Sequence, residues 1–221
     1  MQRITLAAFI ALAALLAACS AQGRDAAGGS SSLRLRADSE LIEHIRLLAP
    51  RLDGDTLHLY SPGRDTTGPM SGRELSAPDC QFFRPFYANM TGDRDLFAVG
   101  YTAIGPGLTA YILRVPSQYS PSAIALWIHQ DGKGYWLPPL EVANAFGDAG
   151  WSFQQDAWLV DRDHDGYRDL VQRRTDWGDD RALADSLSWR FWQSRFDQFG
   201  WRQDLTDRTA ASVFSLRPRR P

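Results

Sequence analysis

Nine consecutive residues constrain this chain more than any other stretch: Asp161-Arg162-Asp163-His164-Asp165-Gly166-Tyr167-Arg168-Asp169. They put carboxylates at positions 1, 3, 5 and 9 and a glycine at position 6. This spacing suits a loop that wraps oxygen ligands around one hard cation, because Ca²⁺ takes six to eight oxygens and tolerates irregular geometry. The expected shell is the side chains of Asp161, Asp163 and Asp165, the backbone carbonyl of Tyr167, and Asp169 directly or through water. Gly166 would supply the sharp turn. Without a cation, carboxylates this close repel one another, and a divalent ion removes the conflict.

The flanks decide what the loop joins. An EF-hand has a bidentate Glu at position 12, where this chain has Gln172. Ala157-Trp158-Leu159-Val160 on one side and Asp169-Leu170-Val171-Gln172 on the other are short and rich in β-branched or aromatic residues, so they read as strands. The expectation is strand–loop–strand, with the ion pinning a β-hairpin.

The run Trp158-Leu159-Val160-Asp161-x-Asp163-x-Asp165-Gly166-x-x-Asp169-Leu170-Val171 resembles the calcium loops of FG-GAP and VCBS-type repeats, which occur in β-propeller blades. Together with the leader described next, it is also similar to periplasmic lipoprotein immunity proteins, which neutralise peptidoglycan hydrolases delivered by type IV secretion systems. The match covers the loop and the leader. It implies calcium as cofactor and a cell-wall hydrolase as protein partner.

Residues 1–18 have a positive start at Arg3 and an apolar run from Ile4 to Ala18, too short to span a bilayer as a permanent helix. The following Leu16-Ala17-Ala18-Cys19 box looks like a bacterial lipobox, which implies cleavage before Cys19 and acylation of its thiol and new amino terminus. Ser20 rather than Asp after the cysteine implies, by the same resemblance, an outer-membrane, periplasm-facing protein anchored by lipid. Residues 19–36 include Gly28-Gly29-Ser30-Ser31-Ser32 and read as a flexible tether. Residues 37–221 remain as one domain, and 44% hydrophobic residues suit a globular core. The net charge of −2, becoming −3 when Arg3 leaves, gives no basic surface for nucleic acid. With Cys19 acylated, Cys80 has no partner for an intrachain disulfide and reads as a buried thiol.

Leu41, Ile42, Ile45 and Leu48 recur at helical spacing between Asp38 and Ala49, with Pro50 as the stop, which predicts one N-terminal amphipathic helix. Strand candidates follow at 57–60, 96–104, 108–115, 123–130 and 134–137, then at 151–160, 169–175, 187–192 and 211–216. Asp131-Gly132 suits a tight hairpin turn. Residues 138–147 include a single helical turn around Leu140 to Phe146. The aromatic stretch from Phe82 to Tyr87 lies in a turn-rich region and is expected to plug the core. The fold class is thus mostly β, an antiparallel meander that is either propeller-like or a twisted sheet, with one helix. No second metal loop and no period is visible.

Catalytic motifs are missing from the sequence: no Gly-x-Ser-x-Gly elbow, no His-Glu-x-x-His, no phosphate-binding glycine loop and no Cys/His metal spacing. His44, His58, His129 and His164 are scattered, and His164 is expected to point outward. Asp176, Asp179, Asp180 and Asp185 either add to the ion's shell or form a solvated acidic loop. Trp189, Phe191, Trp192, Phe196, Phe199 and Trp201 are expected to be mostly core. The preferred function is a non-enzymatic, calcium-stabilised binding module, an inhibitor or immunity protein against a cell-wall hydrolase. A calcium-dependent envelope hydrolase and a structural envelope lipoprotein are the alternatives.

Overall fold

The structure is a computed structural model that describes residues 38–63, 67–87, 95–117, 122–137, 139–148 and 150–178, the backbone of 181–193 and 199–203, and residues 214 and 217; at 135 the backbone alone is described. The leader, Cys19, the tether and most of the 211–216 segment therefore lie outside the described residues. The chain divides into two units, residues 1–42 and 43–221, and the β-structure belongs to the second.

Residues 38–48 form helix α1 as predicted. Within the second unit Ile45 and Ala49 of this segment are buried, and Arg46 lies over the rings of Tyr101 and Tyr111 at 5.5 and 5.8 Å. Pro50, which cannot continue a helix, instead accepts a hydrogen bond from Tyr101 N at 3.2 Å.

The strands are β1 (Thr56–Tyr60), β2 (Arg73–Glu74), β3 (Phe97–Gly105), β4 (Leu108–Val115), β5 (Ala123–Gln130), β6 (Tyr135–Trp136), β7 (Leu140–Asp148), β8 (Trp151–Val160), β9 (Asp169–Gly178), β10 (Arg181–Gln193) and β11 (Phe199–Gln203). They form one antiparallel sheet in the order β11-β10-β9-β8-β7-β5-β4-β3-β2, with β1 beside β8 and β6 beside β5. Of the two architectures compatible with the sequence, the continuous sheet is the one observed, rather than separate blades.

The sheet curls through β7, whose first half pairs with β5 and whose second half pairs with β8. As a result Ile104, Leu108, Ile112, Ile124, Leu126 and Ile128 from one side share a single core with Leu59, Ala157, Leu159 and Leu170 from the other. Burial of apolar area on this scale drives the curl, at about 25 cal/mol per Å².

The helical turn expected around Leu140 to Phe146 is instead strand β7. Its pairing places Ala143 opposite Ile124 but Glu141 opposite Ala125, so Val142 is one residue too many on its side: a bulge. Val142 and Ala143 both enter the core in consequence, and this breaks the period-2 pattern by which a strand is recognised. The carbonyl freed at Val142 accepts from Gln155 Nε2 at 3.1 Å and Gln172 Nε2 at 3.0 Å. The tight turn expected at Asp131-Gly132 is a four-residue loop, since Gln130 pairs with Tyr135.

The segment between β2 and β3 contains helix α2 (Ala77–Phe83), followed by a 3₁₀ turn (Arg84–Phe86). Ser76 caps α2, accepting from Asp79 N at 3.3 Å and donating its own hydroxyl to Asp79 Oδ2 at 2.6 Å. The outer carboxylate oxygen of Asp79 meets His44 Nδ1 of α1 at 3.1 Å. Phe83 is fully buried edge-on against Trp127 of β5, with ring centroids 4.7 Å apart, so it plugs the core as expected, whereas Phe82 and Tyr87 are half-buried and Phe86 is exposed. With aromatic cover outside and aliphatic core inside, β4 is buried at every position and loses polar alternation.

Candidate metal centre

The loop of residues 161–168 connects β8 to β9, two strands paired in register along their whole length from Trp151↔Gly178 to Val160↔Asp169. The strand–loop–strand arrangement inferred from the β-branched flanks is the observed one. Asp161, Asp163 and Asp165 converge, each offering a carboxylate oxygen within 4.8 Å of the others. Gly166 has φ of +86°, the left-handed conformation that glycine adopts without a Cβ clash. His164 has φ of +58°, the one non-glycine positive value among the described residues, and it is exposed as expected.

Backbone donors hold the carboxylates in place. Gly166 N donates to Asp161 Oδ2 at 3.1 Å, and Tyr167 N donates to Asp165 Oδ1 at 2.8 Å. The other oxygen, Asp161 Oδ1, is buried with no hydrogen-bond partner. A buried carboxylate oxygen left in that state is costly unless a cation completes it, so this residue set fits a hard divalent ion. Asp169 stands apart from the triad, almost fully buried at the first position of β9. Gln172, which occupies the position of the EF-hand's last ligand, donates its amide Nε2 to the carbonyl of the Val142 bulge at 3.0 Å. Asp176 is seven residues along β9 and is held by Nε and Nη2 of Arg174 at 2.9 and 2.8 Å. Asp179, Asp180 and the side chain of Asp185 lie outside the described residues.

The loop is clipped by three contacts that the sequence does not announce, two to the end of β3 on the other half of the sheet and one to the residue run before β1, which pairs with β8. Arg168 N donates to the carbonyl of Ile104, the penultimate residue of β3, at 2.8 Å. Arg168 Nη2 donates to the carbonyl of Gly54, just before β1, at 2.6 Å. The Tyr167 ring packs on the core and over Gly105. The β3–β4 turn is in turn bonded to the β5–β6 loop, with Asp131 N donating to Gly107 O at 2.8 Å and Thr109 Oγ1 to Asp131 Oδ2 at 3.0 Å. His129 Nδ1 is 3.1 Å from the other oxygen of Asp131. The 161–168 loop is thus one member of a group of interlocked turns at one end of the sheet.

A second polar group lies on the outer face of β1 and β8. His58 Nε2 is 2.8 Å from Asp156 Oδ2, and His58 stacks on Trp158 at 4.7 Å with 9° between the planes. Asp156 is 1% exposed and also accepts from Gln154 Nε2 at 3.0 Å and from Arg217 N at 3.0 Å. Ninety-eight residues separate His58 from Asp156, so only strand pairing brings them together.

No family model matches the chain, and neither a curated protein nor a solved structure gives a match.

Proposed function

We propose that the chain is a calcium-stabilised binding module of the bacterial cell envelope, held at the outer membrane by a lipid on Cys19, and that it inhibits a cell-wall hydrolase. The observation that carries this reading is the carboxylate triad on a strand–loop–strand whose Asp161 Oδ1 is buried and unbonded. Asp161, Asp163 and Asp165 would hold the ion, with the Tyr167 carbonyl and Asp169 as the further oxygens expected from the loop pattern. The ion supplies charge neutralisation. The protein supplies everything else: Arg168 and Tyr167 tie the loop to Ile104, Gly54 and Gly105, so ordering the loop stiffens the neighbouring turns. A ligand that binds only the folded state adds RT ln(1 + [L]/Kd) to stability, about 2.7 kcal/mol at a hundredfold excess over Kd. A rigid rim of turns is suited to filling an enzyme cleft with little ordering cost.

The test is a calcium titration of the protein by calorimetry, followed by assay of peptidoglycan hydrolases from envelope and secreted extracts with the protein added in calcium and in chelator. Saturable binding of one ion and calcium-dependent inhibition support the reading. Absence of calcium binding removes the cofactor, and intact hydrolase activity in both conditions removes the inhibitory role.

A further inference from the structure

Side chains on the outer face of β1, β8 and β9 hold the two described residues of the chain's own C-terminal segment, Phe214 and Arg217. Arg217 N donates to buried Asp156 Oδ2, and Gln154 Nε2 donates to the Arg217 carbonyl, so both backbone polar groups of this residue are read by side chains of β8. The Arg217 guanidinium lies over the Tyr60 ring at 4.0 Å. Three residues earlier, Phe214 stacks on Trp158 at 4.8 Å with 22° between the planes, and its carbonyl accepts from Arg173 Nη1 at 2.6 Å. Arg217 precedes Pro218, which biases it towards the extended backbone that such a slot reads. Neither residue belongs to a strand of the sheet. Releasing these two residues would break no ladder bond of their own.

We propose that this face is a recognition groove for an extended peptide with an aromatic residue three positions before a basic one, and that the C-terminal segment fills it in cis as a built-in competitor. Trp158 takes the aromatic ring, Tyr60 takes the cation, and Asp156 with Gln154 takes the backbone N–H and C=O of the basic residue. His58 is a positioning residue: it bonds the same Asp156 oxygen as Arg217 N and stacks on the same tryptophan as Phe214. An attached competitor acts at an effective concentration on the order of mM. A partner peptide must therefore be tighter or locally abundant. The inference does not depend on the metal loop.

The probe is a fluorescent synthetic peptide of residues 211–221, titrated into the full chain and into a Phe214→Ala/Arg217→Ala full-chain variant whose cis segment is weakened. The expected result is at least tenfold tighter binding by the variant, lost when the peptide's own Phe and Arg are replaced by Ala. Equal binding, or none by a folded variant, overturns the proposal. Hydrogen exchange on the unaltered chain covers the case in which the variant fails to fold. The Arg217 amide should exchange at least a hundredfold faster than the amides of β8, and exchange at the same rate as β8 would make the segment a fixed part of the fold and overturn the groove.

Discussion

The ring of Tyr167 occupies the space that a side chain on Gly105 would need: a Cβ built there meets the Tyr167 ring directly. This contact, beside the Arg168 N–Ile104 O bond, joins the exit of the 161–168 loop to the end of β3 on the opposite half of the curled sheet. Gly105→Ala is therefore expected to cost about 1–3 kcal/mol through overpacking. It should also weaken calcium affinity, because displacing the ring strains the loop that carries it. Urea midpoints measure the first effect. In a Tyr167→Ala background the same substitution should cost much less, and an unchanged cost would show that the clash lies elsewhere.

Changing Asp163 and Asp165 together to Asn separates metal binding from folding, because both side chains are exposed and neither supports the core. In saturating calcium the variant should melt well below the unaltered protein. In chelator it should melt at the same temperature or slightly higher, since like-charge repulsion in the triad has been relieved. Melting curves in the two conditions give all four values. A variant that melts lower in both would mean that the carboxylates serve the fold directly.

The β-structure was legible where strands are bounded by turn residues and built from β-branched and aromatic runs, as at Leu108 to Val115 and Ala123 to Gln130. It was hidden at β7, where the Val142 bulge puts two adjacent apolar residues into the core, and at α2, whose seven residues include Pro78 and two phenylalanines. The convergence of the three carboxylates was legible because its geometry is local: three carboxylates within five positions and a glycine with positive φ. Asp169 carries the same spacing signal but is placed by strand pairing with Val160, a constraint that spacing does not express. The His58–Asp156 pair and the seat of Arg217 were out of reach, since each arises from register between distant strands or from a chain end folded back.

The hydroxyl of Tyr87 accepts the indole N–H of Trp127 at 2.9 Å, and burial pushes the Tyr87 pKa above the usual tyrosine range. Tyr87→Phe keeps the ring but leaves the Trp127 donor without its acceptor, at a cost of about 1–3 kcal/mol. Denaturant unfolding should show a lower midpoint with unchanged slope. Because Trp127 is also packed by Phe83 and Phe86, near-ultraviolet circular dichroism should stay native-like. A change of less than about 0.3 kcal/mol would show that the indole finds water instead.

Cys80 gives stability a pH dependence whose sign follows from its surroundings. The thiol is 1% exposed on α2, and burial raises its pKa, with Asp79, Asp95 and Glu74 adding to the rise. In the unfolded chain a thiol loses its proton near pH 8.5. Below that value both states are protonated and pH has no effect through this group. Between it and the higher folded value the unfolded chain releases a proton that the native state keeps, so stability falls as pH rises, by at most about 1.4 kcal/mol per unit. Cys80→Ala removes this slope, whatever it does to the absolute stability. Urea unfolding of both proteins from pH 7.5 to 9.5 should show the native sequence losing more than the variant across that interval. Parallel loss in the two would mean that other groups carry the alkaline sensitivity.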